Sequence, residues 1–398
     1  VVSEGPLSRA NARNALIAGF LGWTLDAFDF FVLTFVLIPV AHDFGKSIKD
    51  VALTLTASLA MRPIGAVVFG LMADRWGRRL PLMLDVIFYS VVEVLSGFAP
   101  TYTVFFVLRL LYGIGMGGEW GVGASLAMES VPARWRGLLS GLLQEGYACG
   151  FLLAAVAYGT VYPRFGWRAL FFLGGAPALL SLFIRARVVD PPAWKRTRLD
   201  WPSYRRSVAK NGKLFGYLVL LMAMMNFISH GTQDLYPTFL QKQRHYDPTW
   251  TAWVTAISML GAIAGGLLFG HVSDRWGRRR AMATAIGGAI LLIPLWVAAP
   301  APALVLLGAF GMQFMVQGAW GVIPAHINEL SPPALRGFFP GFAYQLGVLC
   351  ASSIGYIEAL LAERLTYAQS MGILAGAVLL LGAVVVSVGP EAHGIAFE

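Results

Sequence analysis

The sequence predicts an all-α membrane protein: twelve transmembrane helices in a duplicated chain, six to each copy. Three observations carry this. Hydrophobic residues make up 57% of the 398-residue chain and charged ones only 13%, against about 25% charged in soluble domains. Apolar stretches of about 20 residues, the length that crosses a hydrocarbon core of about 30 Å, recur along the whole chain. The segment Gly70-Leu-Met-Ala-Asp74-Arg75-Trp76-Gly77-Arg78-Arg79 returns 200 residues later as Gly270-His-Val-Ser-Asp274-Arg275-Trp276-Gly277-Arg278-Arg279. A second pair keeps the same offset: Glu129, Pro132, Arg136 and Gly137 return as Glu329, Pro332, Arg336 and Gly337. Two matches in one register make the chain a duplicated unit. In a membrane protein such repeats mark secondary transporters.

The stretches run over 14–40, 51–73, 81–98, 103–128, 138–160 and 168–186, then 213–240, 250–273, 281–299, 302–327, 338–360 and 369–389. They imply a first bundle over residues 1–186, a cytoplasmic linker over 187–212 and a second bundle over 213–398. The first stretch is too long and too acidic for a cleaved signal peptide, and no small-residue cleavage site follows, so it is expected to stay as a helix. The second and eighth end in the repeated Asp-Arg segment. The fourth carries Gly113, Gly115, Gly117, Gly118, Gly121 and Gly123, and the eighth Gly261, Gly265, Gly266 and Gly270. In lipid such glycines let helices approach closely. Between the sixth and seventh stretches lies the one long polar segment, with Asp190-Pro191-Pro192 and Arg205-Arg206. Part of it is expected as an amphipathic helix on the inner leaflet, with Trp194, Trp201 and Tyr204 at headgroup depth. Cys149 and Cys350 fall inside apolar stretches, where buried small hydrophobes are expected rather than a disulfide or metal framework. No cofactor is implied.

The net charge of +9 reflects topology. With the N-terminus inside, the inner loops hold 21 Lys or Arg and the outer loops seven. This bias places both termini in the cytoplasm. No nucleic-acid module accompanies the charge.

Polar residues inside spans are costly and therefore the functional candidates. The seventh stretch is densest, with Asn226, Ser229, His230, Thr232, Gln233, Asp234, Tyr236, Pro237 and Thr238. At ~100° per residue Asn226, Ser229, His230, Gln233 and Asp234 fall within about 140° of one another, a polar face suited to a cavity wall. Arg62 and Arg109 lie within the second and fourth stretches. A guanidinium offers a planar fork to a carboxylate. Arg62 also has Asp26 or Asp29 as possible partners, and Arg109 could snorkel outward. Asp26 and Asp29 share a face of the first span, Glu119 lies in the fourth, and Glu145 in the fifth corresponds to Gln345. Each is a candidate proton carrier and equally a candidate ion-pair partner. The loop residues Asp74, Arg75, Arg78, Arg79, Asp274, Arg275 and Arg278, with Glu129 and Glu329, are expected to pair and close the cytoplasmic face in one state, opening in another. The aromatic residues Phe28, Phe31, Tyr147, Trp320 and Tyr344 are expected to set cavity volume.

The repeated loop segment and the twelve stretches resemble the major facilitator superfamily across essentially the whole chain. That resemblance implies two six-helix bundles related by pseudo-twofold symmetry, a central cavity, alternating access, and a lining from spans one, four, seven and ten, which favours Arg109 of the fourth span for attracting the anion. The seventh span matches Asn-x-x-Ser/Thr-His-x-Ser/Thr-Gln-Asp-x-x-x-Thr and so resembles the signature of the yeast lactate permease family, in the sialate–proton symporter branch. This implies a proton-coupled symporter of a small monocarboxylate such as lactate or pyruvate, with His230 and Asp234 in substrate- and proton-linked roles and Asn226 and Gln233 beside them. The alternative is a proton symporter of a larger organic acid, such as sialic acid or an aromatic acid. Expected partners are a small organic anion, protons and the bilayer of a bacterial inner membrane, with a monomeric protein. No metal triad or nucleophile–base pair points to an enzyme.

Overall fold

The computed structural model describes residues 6–191, 194, 200–352, 354, 357, 361, 364–395 and 397. Helices occupy all twelve apolar stretches, the eleventh as a regular helix to Ala351. The first half holds α1 Pro6–Phe35, α2 Leu37–Asp43, α3 Ile48–Trp76, α4 Arg79–Gly97, α5 Tyr102–Ser130, α6 Arg136–Gln144, α7 Gly146–Thr160, α8 Tyr162–Leu173 and α9 Ala178–Arg187. A short amphipathic helix, α10 Trp201–Lys210, precedes the second half. That half holds α11 Gly212–Gln233, α12 Tyr236–Lys242, α13 Pro248–Trp276, α14 Arg278–Ala298, α15 Pro302–Leu330, α16 Phe339–Ala351 and α17 Tyr367–Val388. Among the described residues, ten helical segments are long and apolar enough to cross a membrane.

Several spans are broken where their sequence demands it. The fifth breaks at Glu145 and the sixth at Gly174-Gly175-Ala176-Pro177. The seventh breaks at Asp234 and Leu235, because Pro237 has no N–H to return to Gln233. Each break frees backbone groups at mid-helix, which a membrane protein tolerates only where protein or a cavity covers them.

Each bundle has its own apolar interior, built around Tyr89, Tyr112 and Met116 in the first and Leu221, Ile286 and Met312 in the second. Apolar side chains also cover the outside: Leu179, Leu182, Leu291, Leu380 and Val384 are exposed, a surface that lipid rather than water would cover. The glycine runs act in packing. A Cβ at Gly113 or Gly117 of α5 would strike the backbone of Ser58 or Arg62 in α3, and one at Gly261 or Gly265 of α13 the backbone of Phe310 or Phe314 in α15. Between bundles, Gly121 lies against Gly341, and Gly141 against the Gly266 carbonyl. One expectation fails. Cys350 is exposed, and Cys149 is only partly covered, so neither is a buried core residue.

Candidate substrate cavity and the latch beneath it

The repeated loops build two matching latches on the basic face. Gly77 and Gly277 take φ of 98° and 92°, a left-handed region closed to most side chains. A Cβ at Gly77 would also lie 2.7 Å from the Asp190 carboxylate, which accepts the Arg79 backbone N–H at the start of α4. Glu391 does the same for Arg279 at α14. The turn aims Arg78 inward, where it donates to Asp74 at 2.8 Å and to both Glu129 oxygens at 2.9 and 3.2 Å. Arg278 likewise meets Asp274 at 2.9 Å and Glu329 at 2.9 Å. Burial acts to lower the Arg78 pKa, but Glu129 and Asp74 outweigh it and hold it above its usual value.

Each aspartate then reaches across to the other bundle. Asp74 accepts the Gly337 N–H at 2.7 Å, and Asp274 accepts the Gly137 and Leu138 N–H groups at 2.8 and 3.0 Å. Those last two amides are unbonded donors in the first turn of α6, where a carboxylate is most effective. Symmetry is incomplete. Arg136 crosses to Glu329 at 2.9 Å, whereas its counterpart Arg336 makes no ion pair among the described residues and burial pushes it down to about 10. The linker joins this face: Tyr204 donates to Asp74 at 2.9 Å and Trp194 to the Asp74 carbonyl. Arg75 and Arg275 differ from expectation. Both point outward, are exposed, and enter no ion pair among the described residues, because the turn of the helix that buries Asp74 and Asp274 carries the next residue away. Arg79 is tied to the Arg185 carbonyl within its own bundle.

Above the latch, aromatic rings form a floor. Trp23 stacks on Tyr147 at 5.7 Å, and Tyr344 packs against Trp120 at 4.5 Å and Trp320 at 6.0 Å. Two adjoining chambers open over it, of about 200 and 80 Å³, sharing Gln144, Tyr147 and Gln317. The smaller is lined by Arg62, Asn226, Ser229 and His230, the larger by Glu145, Gln233, Asp234 and Phe31. The polar face of the seventh span therefore lies along one continuous wall. His230 Nδ1 sits 3.2 Å from both Asp234 oxygens across one helical turn. Gln233 donates to Gln313 at 2.7 Å, and Gln317 to Ser229 at 3.2 Å. Arg62 lies opposite, 5.7 Å from the Tyr344 ring centre, with Nε and one terminal nitrogen unbonded among the described residues.

The lining is broader than spans one, four, seven and ten. The second supplies Arg62, the fifth Gln144 and Glu145, the eighth Thr255 and Met259, and the eleventh Tyr344. Phe31, Tyr147, Trp320 and Tyr344 line the chambers, whereas Phe28 packs inside the first bundle. Arg109 also stays away from the chambers. It is buried in the first bundle, donating to Glu93 at 2.5 Å and Ser96 at 2.6 Å, with the Tyr112 ring 4.5 Å away. Its ion pair with Glu93 and its burial off the chamber walls keep this guanidinium from meeting a substrate anion. Asp26, Asp29 and Glu119 are equally buried in that bundle, off the chamber walls, and Arg62 is within electrostatic reach of Asp26 and Glu119. Of the acids singled out in the sequence as proton carriers, only Glu145 and Asp234 face the chambers. Gln144, Gln313 and Gln317 are the residues the sequence analysis passed over. Gln313 and Gln317, at i and i+4 in an apolar span, obey the same rule that marked the seventh.

Comparison with known proteins agrees with this architecture. The Major Facilitator Superfamily profile matches residues 19–252, and that of Sugar (and other) transporter residues 207–391. The chain is 30% identical over 420 residues to a carboxylic acid transporter protein homolog of Saccharomyces cerevisiae, covering 95% of this chain and 68% of that one. It is 32% identical to the sialic acid transporter NanX of Escherichia coli, covering 84% of each. The solved proton:xylose symporter XylE superposes with a TM-score of 0.79 at 17% identity, covering 97% of this chain and 98% of that one. With the duplicated latch, the central cavity and the profile match in hand, the chain belongs to the major facilitator superfamily, a family of membrane transporters and not of enzymes.

Proposed function

We propose that the protein is a proton-coupled symporter of a small monocarboxylate such as lactate or pyruvate. It works as a monomer with twelve spans, bundles at residues 1–186 and 213–398 and a cytoplasmic linker at 187–212, in a bacterial inner membrane with both termini cytoplasmic. The observation that carries the reading is Arg62, one cation standing between the chambers and the Asp26 carboxyl. In the described state the basic face is latched, so on this reading the cavity is closed to the cytoplasm. A substrate carboxylate arriving at Arg62 competes with Asp26 for the same guanidinium. Asp26, losing its counter-charge, takes a proton instead. His230, Asn226, Ser229 and Gln317 offer hydrogen bonds to the hydroxyl or keto oxygen of the substrate. Asp234 holds the His230 ring, and Glu145 is the second carboxyl able to take up a proton at the wall. With both charges neutralised, the latches release and the cavity opens to the cytoplasm.

The chamber of about 200 Å³ supports a small acid, since sites for drug-sized ligands run to ~300–1,000 Å³. A larger or aromatic acid is the alternative. The edge-on rings of Phe31, Tyr147 and Phe151 on one wall favour it, as do relatives named for cis,cis-muconate and niacin transport in Acinetobacter baylyi. Uptake of labelled lactate, pyruvate, sialic acid and nicotinate into proteoliposomes, with and without an inward proton gradient, decides between them. Lactate or pyruvate accumulation that rises as the outside is acidified supports the proposal. Uptake of all four at the same rate with and without the gradient sinks it.

A further inference from the structure

The first bundle holds more buried acid than the proposed cycle uses. Asp85, Tyr89 and Glu93 sit at i, i+4 and i+8 on one face of α4 and are wholly buried. Glu93 is held by Arg109. Neither oxygen of Asp85 has a hydrogen-bond partner among the described residues, nor has the Tyr89 hydroxyl. Both Glu119 oxygens and both Asp26 oxygens are in the same condition. Tyr89 is within electrostatic reach of Glu119, Asp26, Asp29 and Asp85, so an unpartnered hydroxyl lies among four carboxyls. Such a hydroxyl can both donate and accept.

The charges facing Asp85 are few. Glu119 of α5 and Asp26 of α1 act on it, and among the described residues no cation does. From α3, Arg62 acts on Asp26 and Glu119. From α8, Arg168 is held by Asp43, and from α9, Arg185 and Arg187 are exposed at the helix end. Depth orders the groups. Asp85 lies about 9 Å along α4 from its start on the latched face, at ~1.5 Å per residue. Asp26 is the group next to Arg62 and hence to the cavity, and Glu119 lies within reach of both Asp26 and Asp85.

We propose that Asp85, with Tyr89 and Glu119, is a proton-binding site through which the coupled proton leaves Asp26 towards the latched face, separately from the substrate's own route. The transfer is a proton handed between carboxyl oxygens once side-chain rotation or a bridging water brings them into hydrogen-bond reach, with Tyr89 donating one proton and accepting another, so no other reactant is needed. The inference rests on the symport reading.

The test is Asp85→Asn in proteoliposomes, assayed for lactate counterflow at equal pH and for accumulation under an inward proton gradient. Counterflow needs no net proton movement. Counterflow within twofold of wild type, with gradient-driven accumulation cut more than tenfold, supports the site. Wild-type accumulation overturns it, and so does restored coupling when sodium replaces the proton gradient. If Asp85→Asn loses both activities, Tyr89→Phe decides: kept counterflow with lost accumulation supports the route, and normal accumulation overturns it. Failure of wild type to couple to protons at all refutes the symport reading instead. The carboxylic-acid infrared band of wild type then still reports on the site: its loss in Asp85→Asn supports a bound proton there, and its persistence overturns one.

Discussion

Two arginines of the same chemistry do different work because of one neighbour. Arg109 has Glu93 at 2.5 Å, whereas Arg62 has no ion pair among the described residues and faces the chambers. Arg62→Gln should therefore weaken substrate binding about tenfold to a hundredfold, the ~1.5–3 kcal/mol of a charged hydrogen bond, with little change in thermal stability. Arg109→Gln strands a buried Glu93 and should destabilise the fold by about 3–5 kcal/mol. Calorimetric titration and melting of the detergent-purified variants separate the two, and the reverse pattern would exchange their roles. The sequence brought both arginines forward and favoured Arg109 for the anion, whereas Arg62 is the one that faces the chambers. The deciding contact is with α4, sixteen residues away in the chain, and it exists only once α4 and α5 pack. The polar face of the seventh span was legible because all its members share one helix and one period. Asp85 and Glu93 recur at helical spacing on one face of α4, yet both were passed over in the sequence analysis.

At the scale of elements, the latches explain why the loop motif keeps Gly and Asp along with its positive charge. Charge bias alone needs neither. Gly77→Ala meets a positive φ and the Asp190 carboxylate together, and should cost about 1–3 kcal/mol, seen as a lower melting temperature. Asp274→Asn keeps the shape at α6 but weakens the bonds to Gly137 and Leu138 that the latched state alone requires. A ligand-independent shift towards the opposite-facing state follows. A cysteine placed at the buried Ser140 position, whose hydroxyl crosses to the Gly321 carbonyl of the other bundle, should label faster in that background, while substrate affinity stays within about threefold. Unchanged labelling with lost binding would remove Asp274 from the gate. The repeat made these loops visible in the sequence. Which arginine of each loop enters the latch was not visible, since Arg75 and Arg78 differ only in the turn set by Gly77.

For the whole molecule, one asymmetry matters most. The duplicated bundles share latches and glycine seams, but the first carries Asp26, Glu119, Glu145 and Arg62, and the second carries most of the lining amides, His230 and Asp234. On the proposed reading, the acids and the carboxylate anchor Arg62 share one wall of the cavity, most of the groups that bond the rest of the substrate lie on the other, and coupling is the competition between a substrate anion and Asp26 for Arg62. The two-bundle fold was legible from composition and the 200-residue repeat. The division of labour was not, because it depends on which helices face one another across the cavity. The claim is tested most directly by imposing an inward lactate gradient, with no proton gradient, on proteoliposomes holding a pH-sensitive dye, with Arg62→Gln vesicles as the control for passive lactic acid. The account predicts internal acidification well above that control and abolished by Asp26→Asn. Labelled lactate entering through wild type faster than through the control, with no extra acidification, would contradict it.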